Sequence, residues 1–91
     1  MPIKFKEFKL EKNNNKAPYH VQIYEYLLGK IKNRELKPGE KLPNEEELSL
    51  MLCVSRITVR TALRELELKG EIKRTRGIGT LIAEILTFKL D

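Results

Sequence analysis

The chain has 91 residues, with 18 Lys and Arg against 13 Asp and Glu for a net charge of +5, and 41% of its residues are hydrophobic. This is enough for one small domain with a thin core and too apolar for a wholly disordered chain. No apolar run approaches the ~20 residues of a membrane span, and the start MPIKFKEFKLEK lacks the apolar segment of a secretory signal, so a cytoplasmic protein is expected. A single cysteine, Cys53, rules out an internal disulfide framework and a Cys-based zinc site, and His20 alone cannot build a catalytic metal centre. The composition disfavours an enzyme, implies no cofactor, and favours an acidic partner, nucleic acid first.

Residues 1–16 hold five Lys and two Glu and end in Asn13-Asn14-Asn15-Lys16, which reads as a flexible basic tail. Ala17-Pro18 opens a first helix, since Pro suits a first turn where its missing N–H is not needed. Ile23, Leu27 and Ile31 recur every four residues, with Tyr24 and Leu28 beside them, over about four turns. Lys37-Pro38-Gly39 is expected to stop it. His20, on the first turn, is packed or solvated in this reading. Gly39 to Leu42 is a short extended piece. Pro43-Asn44 starts a second helix of about two turns, with Asn44 and Glu47 at capping-box spacing and Leu48, Met51 and Leu52 on its buried face. Helix capping and the helix dipole account for Glu45, Glu46 and Glu47 without carboxylate catalysis.

After the break at Cys53-Val54, Ser55 caps a third helix, Arg56 to Lys69, closed by Gly70. Val59, Ala62, Leu63 and Leu66 are its core stripe. Arg56, Arg60 and Arg64 form a second row, each step turning only about 40°, so the three guanidiniums share one face. Residues 55–80 hold seven Lys and Arg against three Glu, the densest positive stretch of the chain apart from its tail. Ile72 to Arg76 and Thr80 to Ala83 read as the two strands of a hairpin, about five residues each way, turning at Gly77-Ile78-Gly79. Residues 84–91 read as the start of a linker.

Two short helices, a tight break, a longer basic helix and a basic ribbon describe a mainly α fold with a small β-sheet, a winged helix-turn-helix, over residues 17–83. A helix of about three turns fits a major groove with its N-terminal residues at base edges. Arg56 and Arg60 suit bidentate contacts to guanine, Thr58 a base or a phosphate, and Ile57 a thymine methyl. Ser55 and the free N–H groups of the helix start suit a phosphate oxygen. Gly77 and Gly79 let the wing tip turn tightly and approach a surface, with Arg76 beside them placed for a minor groove. Arg64, Lys73 and Arg74 are expected at the phosphate backbone. The competing reading is a winged helix that docks an acidic protein partner, but that would call for exposed apolar anchors, of which Ile57 is the one candidate.

The stretches Pro18 to Ile23, Leu36-Lys37-Pro38-Gly39, Leu42 to Leu48, Val54 to Arg60, Ala62-Leu63, Leu66 and Gly77-Ile78-Gly79-Thr80 resemble the DNA-binding domain of the GntR family of bacterial transcription regulators. The opening motif is most like the HutC-like branch. The resemblance implies a homodimer on a palindromic double-stranded DNA operator and repression relieved by a small effector. It implies base contacts from Arg56, Thr58, Arg60 and the pair Arg76-Gly77. Five departures stand out. Asn44 replaces a usual Ser, and both cap helices. Cys53 replaces a usual Gly, which predicts a left-handed backbone under mild strain; the position reads as a buried turn, and with no partner thiol a redox role is set aside. Arg34 and Glu71 stand where Gly and Leu are usual, both expected at the surface. Glu46 stands where a basic residue is frequent. The family carries a C-terminal effector domain, so the chain reads as a DNA-binding part whose effector ligand would act through a domain not included in it, with no membrane partner.

Overall fold

The computed structural model describes residues 17–83; the expected basic tail at 1–16 and linker at 84–91 lie outside the described residues. Three helices, α1 (Tyr19–Lys32), α2 (Glu45–Leu52) and α3 (Arg56–Leu68), are followed by an antiparallel hairpin of β1 (Ile72–Thr75) and β2 (Gly79–Ile82). This is the expected winged-helix arrangement. Helix α3 packs against α1, α2 and β1. Its stripe of Val59, Ala62, Leu63 and Leu66 is buried against Ile23, Leu27 and Ile31 of α1 and Leu48 and Leu52 of α2, and Ile72 and Ile82 join the same core. Full burial of each such side chain contributes about 1.5–3 kcal/mol, so this single contiguous cluster fixes how α3 is presented.

The helix ends set the angles between the elements. At α2 the Glu47 N–H donates to Asn44 Oδ1 at 2.8 Å and the Asn44 N–H donates to Glu47 Oε1 at 2.9 Å, the expected capping box. At α3 the Thr58 N–H donates to Ser55 Oγ at 3.1 Å. Pro18 sits at the cap of α1, one place before the first turn. Helix α1 ends before Lys37-Pro38-Gly39, contrary to expectation. Arg34 takes a left-handed conformation (φ 67°) and its N–H donates to the Ile31 carbonyl, while Glu35 donates to the Lys30 carbonyl. The two bonds satisfy the last carbonyls and turn the chain inward, so Leu36 enters the core. The turn therefore comes from the backbone at Arg34, where glycine is usual in the family the chain resembles. Gly70 (φ 79°) closes α3 in the same way, one residue after Lys69, which caps the helix instead of ending it.

Cys53 is left-handed as expected, at φ 59° and ψ 45°. It is exposed, however, and not buried. Its neighbour Val54 packs against the core instead, because the chain reverses between the two. Glu71 is also not a plain surface residue: its side chain is 19% exposed and pairs with Lys32 at 3.6 Å.

The strands are four residues each, not five. With Ile72 paired to Ile82 and Thr75 to Gly79, Arg76 belongs to the turn with Gly77 and Ile78, Gly79 belongs to β2, and Ala83 lies beyond it. The Ile78 N–H donates to the Thr75 carbonyl at 3.0 Å, which closes the loop early, and Gly77 (φ 82°) supplies the positive φ that this closure needs. The extended piece before α2 adds to the other edge of β2. The Gly39 and Leu42 N–H groups donate to the carbonyls of Ile82 and Thr80, each at 2.8 Å, and Ile82 donates back to the Glu40 carbonyl at 2.9 Å. Lys41 thereby pairs with Leu81.

Candidate nucleic-acid interface

The start of α3, the start of α2 and the wing enclose one cleft, lined by Asn44, Glu45, Glu46 and Glu47 of the second helix region, Arg56 of the third, and Arg74, Gly77, Ile78 and Gly79 of the wing. The three elements meet here because α2 and α3 share the core and β1 packs on α3. The buried stripe of α3 faces inward, which turns the row of Arg56, Arg60 and Arg64 outward, all three exposed. Ile57 is 69% exposed. The two hydroxyls at the helix start lie against each other, Ser55 Oγ and Thr58 Oγ1 being 2.9 Å apart. Ser55 is thus engaged in capping, its oxygen accepting the Thr58 N–H and lying against the Thr58 hydroxyl. On the wing, Lys73, Arg74, Arg76, Gly77 and Gly79 are all exposed.

Two of these cations are held by an acid that capping logic had accounted for as a helix-end charge. Arg60 donates through Nε at 3.1 Å and Nη2 at 3.0 Å to Glu45 Oε1. Arg74 donates through Nη1 to Glu45 Oε2 at 3.4 Å, and its Nε lies 3.5 Å from Glu67. Glu45 therefore links α2, α3 and the wing. The hydrogen bond from Arg60 is the largest influence holding its carboxyl below the ordinary carboxylate range; burial opposes it, and the charges of Arg60 and Arg74 add to it. Its side chain is 20% exposed, against 48% for Arg60. The side-on edge of Arg60, Nε with Nη2, is thus occupied, and Nη1 has no hydrogen-bond partner among the described residues. Arg56, Arg64, Lys73 and Arg76 have no ion-pair partner among the described residues.

The position of Glu45 beside a capping Asn is visible in the sequence. Its bond to Arg60, fifteen residues away, depends on the crossing of α2 over α3, and no local pattern announces it. No group of three or more His, Cys, Asp or Glu able to hold a metal ion occurs among the described residues. No helix among them is long and apolar enough to cross a membrane.

The pattern described as "Bacterial regulatory proteins, gntR family" matches residues 20–82. The HTH-type transcriptional regulator GgaR of Escherichia coli is 38% identical over 74 residues, covering 81% of this chain and 30% of its own length. The histidine utilization repressor of Pseudomonas putida is 37% identical over 68 residues, 75% of this chain and 27% of its own. This chain thus spans under a third of the length of these relatives. Among solved structures, the DNA-binding domain of AraR in complex with operator ORE1 superposes with a TM-score of 0.74 at 29% identity, covering 85% of this chain and 95% of that one. The family and these relatives are transcription regulators, not enzymes. With the fold, the match over residues 20–82 and these likenesses in agreement, the chain belongs to the GntR family of bacterial regulatory proteins as a winged-helix DNA-binding domain.

Proposed function

We propose that this domain reads a palindromic double-stranded operator as a homodimer, within a ligand-responsive repressor whose effector binds outside residues 17–83. The start of α3 enters the major groove, where Arg56 and Arg60 meet guanine edges, Thr58 a base or phosphate, and Ile57 a thymine methyl. Ser55 and the helix start hold a phosphate. Arg76, with Gly77 and Gly79 shaping the tip, approaches the minor groove, and Arg64, Lys73 and Arg74 lie along the backbone.

The observation that carries this reading is the exposed row on α3 with one member braced. A guanidinium fixed by its side-on edge on Glu45 loses rotamer freedom before binding and keeps its other end for a planar acceptor pair. Such planar donors in a row match base edges, whereas a protein groove would be anchored by apolar side chains, and at the start of α3 the exposed apolar side chain is Ile57, which also suits a thymine methyl. Repression is supported by the likeness to the histidine utilization repressor of Pseudomonas putida. Selection of bound duplexes from a random library tests the proposal. A two-fold symmetric sequence is expected, and recovery of duplexes with no shared sequence overturns it.

A further inference from the structure

Lys41 belongs to none of the elements expected to touch DNA, since it precedes α2 and lies outside the wing. Its backbone is nonetheless built into the wing: it pairs with Leu81 on the open edge of β2, and the flanking Leu42 N–H donates to the Thr80 carbonyl at 2.8 Å. Leu81 pairs on its other side with Lys73. Residues paired across antiparallel strands share a face, so Lys41 and Lys73 flank Leu81 on the face opposite the buried Ile72 and Ile82, about 10 Å apart at two strand spacings.

The Lys41 side chain then crosses Gly79. A Cβ at Gly79 would come within 2.9 Å of Lys41 Cε and 3.7 Å of its Nζ. A side chain at Gly79 would push the end of the lysine stem aside, and Gly79 has φ 119°, a backbone that favours glycine. The crossing brings the lysine into the cleft lined by Arg56 of α3 and Gly77 and Ile78 of the wing tip. Three glutamates line the same cleft, yet Lys41 pairs with none of them: Glu45 is engaged by Arg60 and Arg74, Glu47 by the cap of α2, and Glu46 is exposed and makes no ion pair with Lys41. Among the described residues Lys41 has no ion-pair partner. The fold holds an exposed ammonium in the cleft that Arg74 and Arg56 also line, on the sheet face of Lys73, with no ion-pair partner among the described residues.

We propose that Lys41 is a phosphate-binding residue of this domain, bridging the backbone contacts of α3 and the wing across Gly79. This rests on the DNA-binding reading above. A strand that touches both the start of α3 and the wing tip must cross this cleft, and an unpaired ammonium there releases one counterion on binding.

The test uses the chain on a fluorescein-labelled mixed-sequence duplex, with affinity measured by anisotropy across a salt series. Lys41→Met keeps the stem and removes the charge. It should reduce the steepness of log affinity against log salt by about 0.9 per bound chain. The advantage of wild type over the variant should shrink about threefold between about 50 and about 200 mM salt. Lys41→Arg should restore the slope, which a packing role for the stem would not require. Lys69→Met, at the far end of α3, should leave the slope unchanged. A Lys41→Met chain that binds with the wild-type slope overturns the assignment while leaving the DNA-binding reading intact. A wild-type chain with no affinity for the duplex overturns both.

Discussion

Replacing Glu45 by Gln tests whether the brace on Arg60 contributes to sequence reading. The carboxylate accepts Nε and Nη2 of Arg60 at 3.1 and 3.0 Å and Nη1 of Arg74 at 3.4 Å. Gln keeps the volume but offers one acceptor and no charge. Arg60 is 48% exposed, so solvent screens the pair and its loss costs folding only about 0.5–1 kcal/mol. Binding changes in two ways. A released Arg60 must be immobilised on the operator, at about 0.5–1.5 kcal/mol. An acid also leaves a surface that faces phosphates, which removes a repulsion of roughly 0.5 kcal/mol per phosphate at about 8 Å in water. The second effect acts on any duplex and the first only where Arg60 is held by a base. Mixed-sequence duplex should therefore bind about twofold tighter. The preference for a duplex selected by the wild-type chain should fall about two- to tenfold. Anisotropy titrations of both duplexes decide it: an unchanged preference, or weaker binding to mixed sequence, refutes the brace. The pH dependence gives a second check. The Glu45 pKa is lowered in the folded state, first by the Arg60 hydrogen bond, so its stabilisation is full above the ordinary carboxylate range and is lost as pH falls through the lowered value. The stability gap between wild type and Glu45→Gln, measured by urea unfolding, should close on acidification.

Arg60→Ala should cost about 1–3 kcal/mol on the selected duplex and flatten preference at one base pair, while Lys73→Ala should weaken both duplexes alike and lower the salt slope by about one unit per chain; equal weakening of both duplexes by Arg60→Ala would make it a phosphate contact. Cys53→Gly should stabilise the fold by about 0.5–1 kcal/mol, because φ 59° costs an L-residue energy that glycine does not pay, as thermal unfolding will show. Leu66→Ala, at a fully buried position between the helices, should destabilise by about 2–5 kcal/mol in urea unfolding, and a smaller loss would mean the core around α3 collapses to fill the space.

Periodicity and end signals were legible in the chain itself. The four-residue spacing of Ile23, Leu27 and Ile31, the capping pair Asn44 and Glu47, and the stripe from Val59 to Leu66 state helix, boundary and buried face, because each depends on residues within one or two turns. The outward row of Arg56, Arg60 and Arg64 follows from the same geometry. The hairpin was legible as a hairpin, but its register was not: one hydrogen bond from Ile78 to Thr75 decides whether Arg76 is strand or turn. The turn after α1 falls earlier than Lys37-Pro38-Gly39 because Arg34, with no glycine to mark it, adopts the left-handed backbone. Cys53 has the expected conformation but is exposed where a buried turn is expected, since φ is local whereas exposure depends on which neighbour, Cys53 or Val54, the reversal turns toward the core. Tertiary structure alone decided that Glu45 meets Arg60 and Arg74, and that Lys41 reaches the wing. Those contacts join residues fifteen to about forty positions apart, and they exist only once the shared core has brought three helices and a hairpin to one cleft.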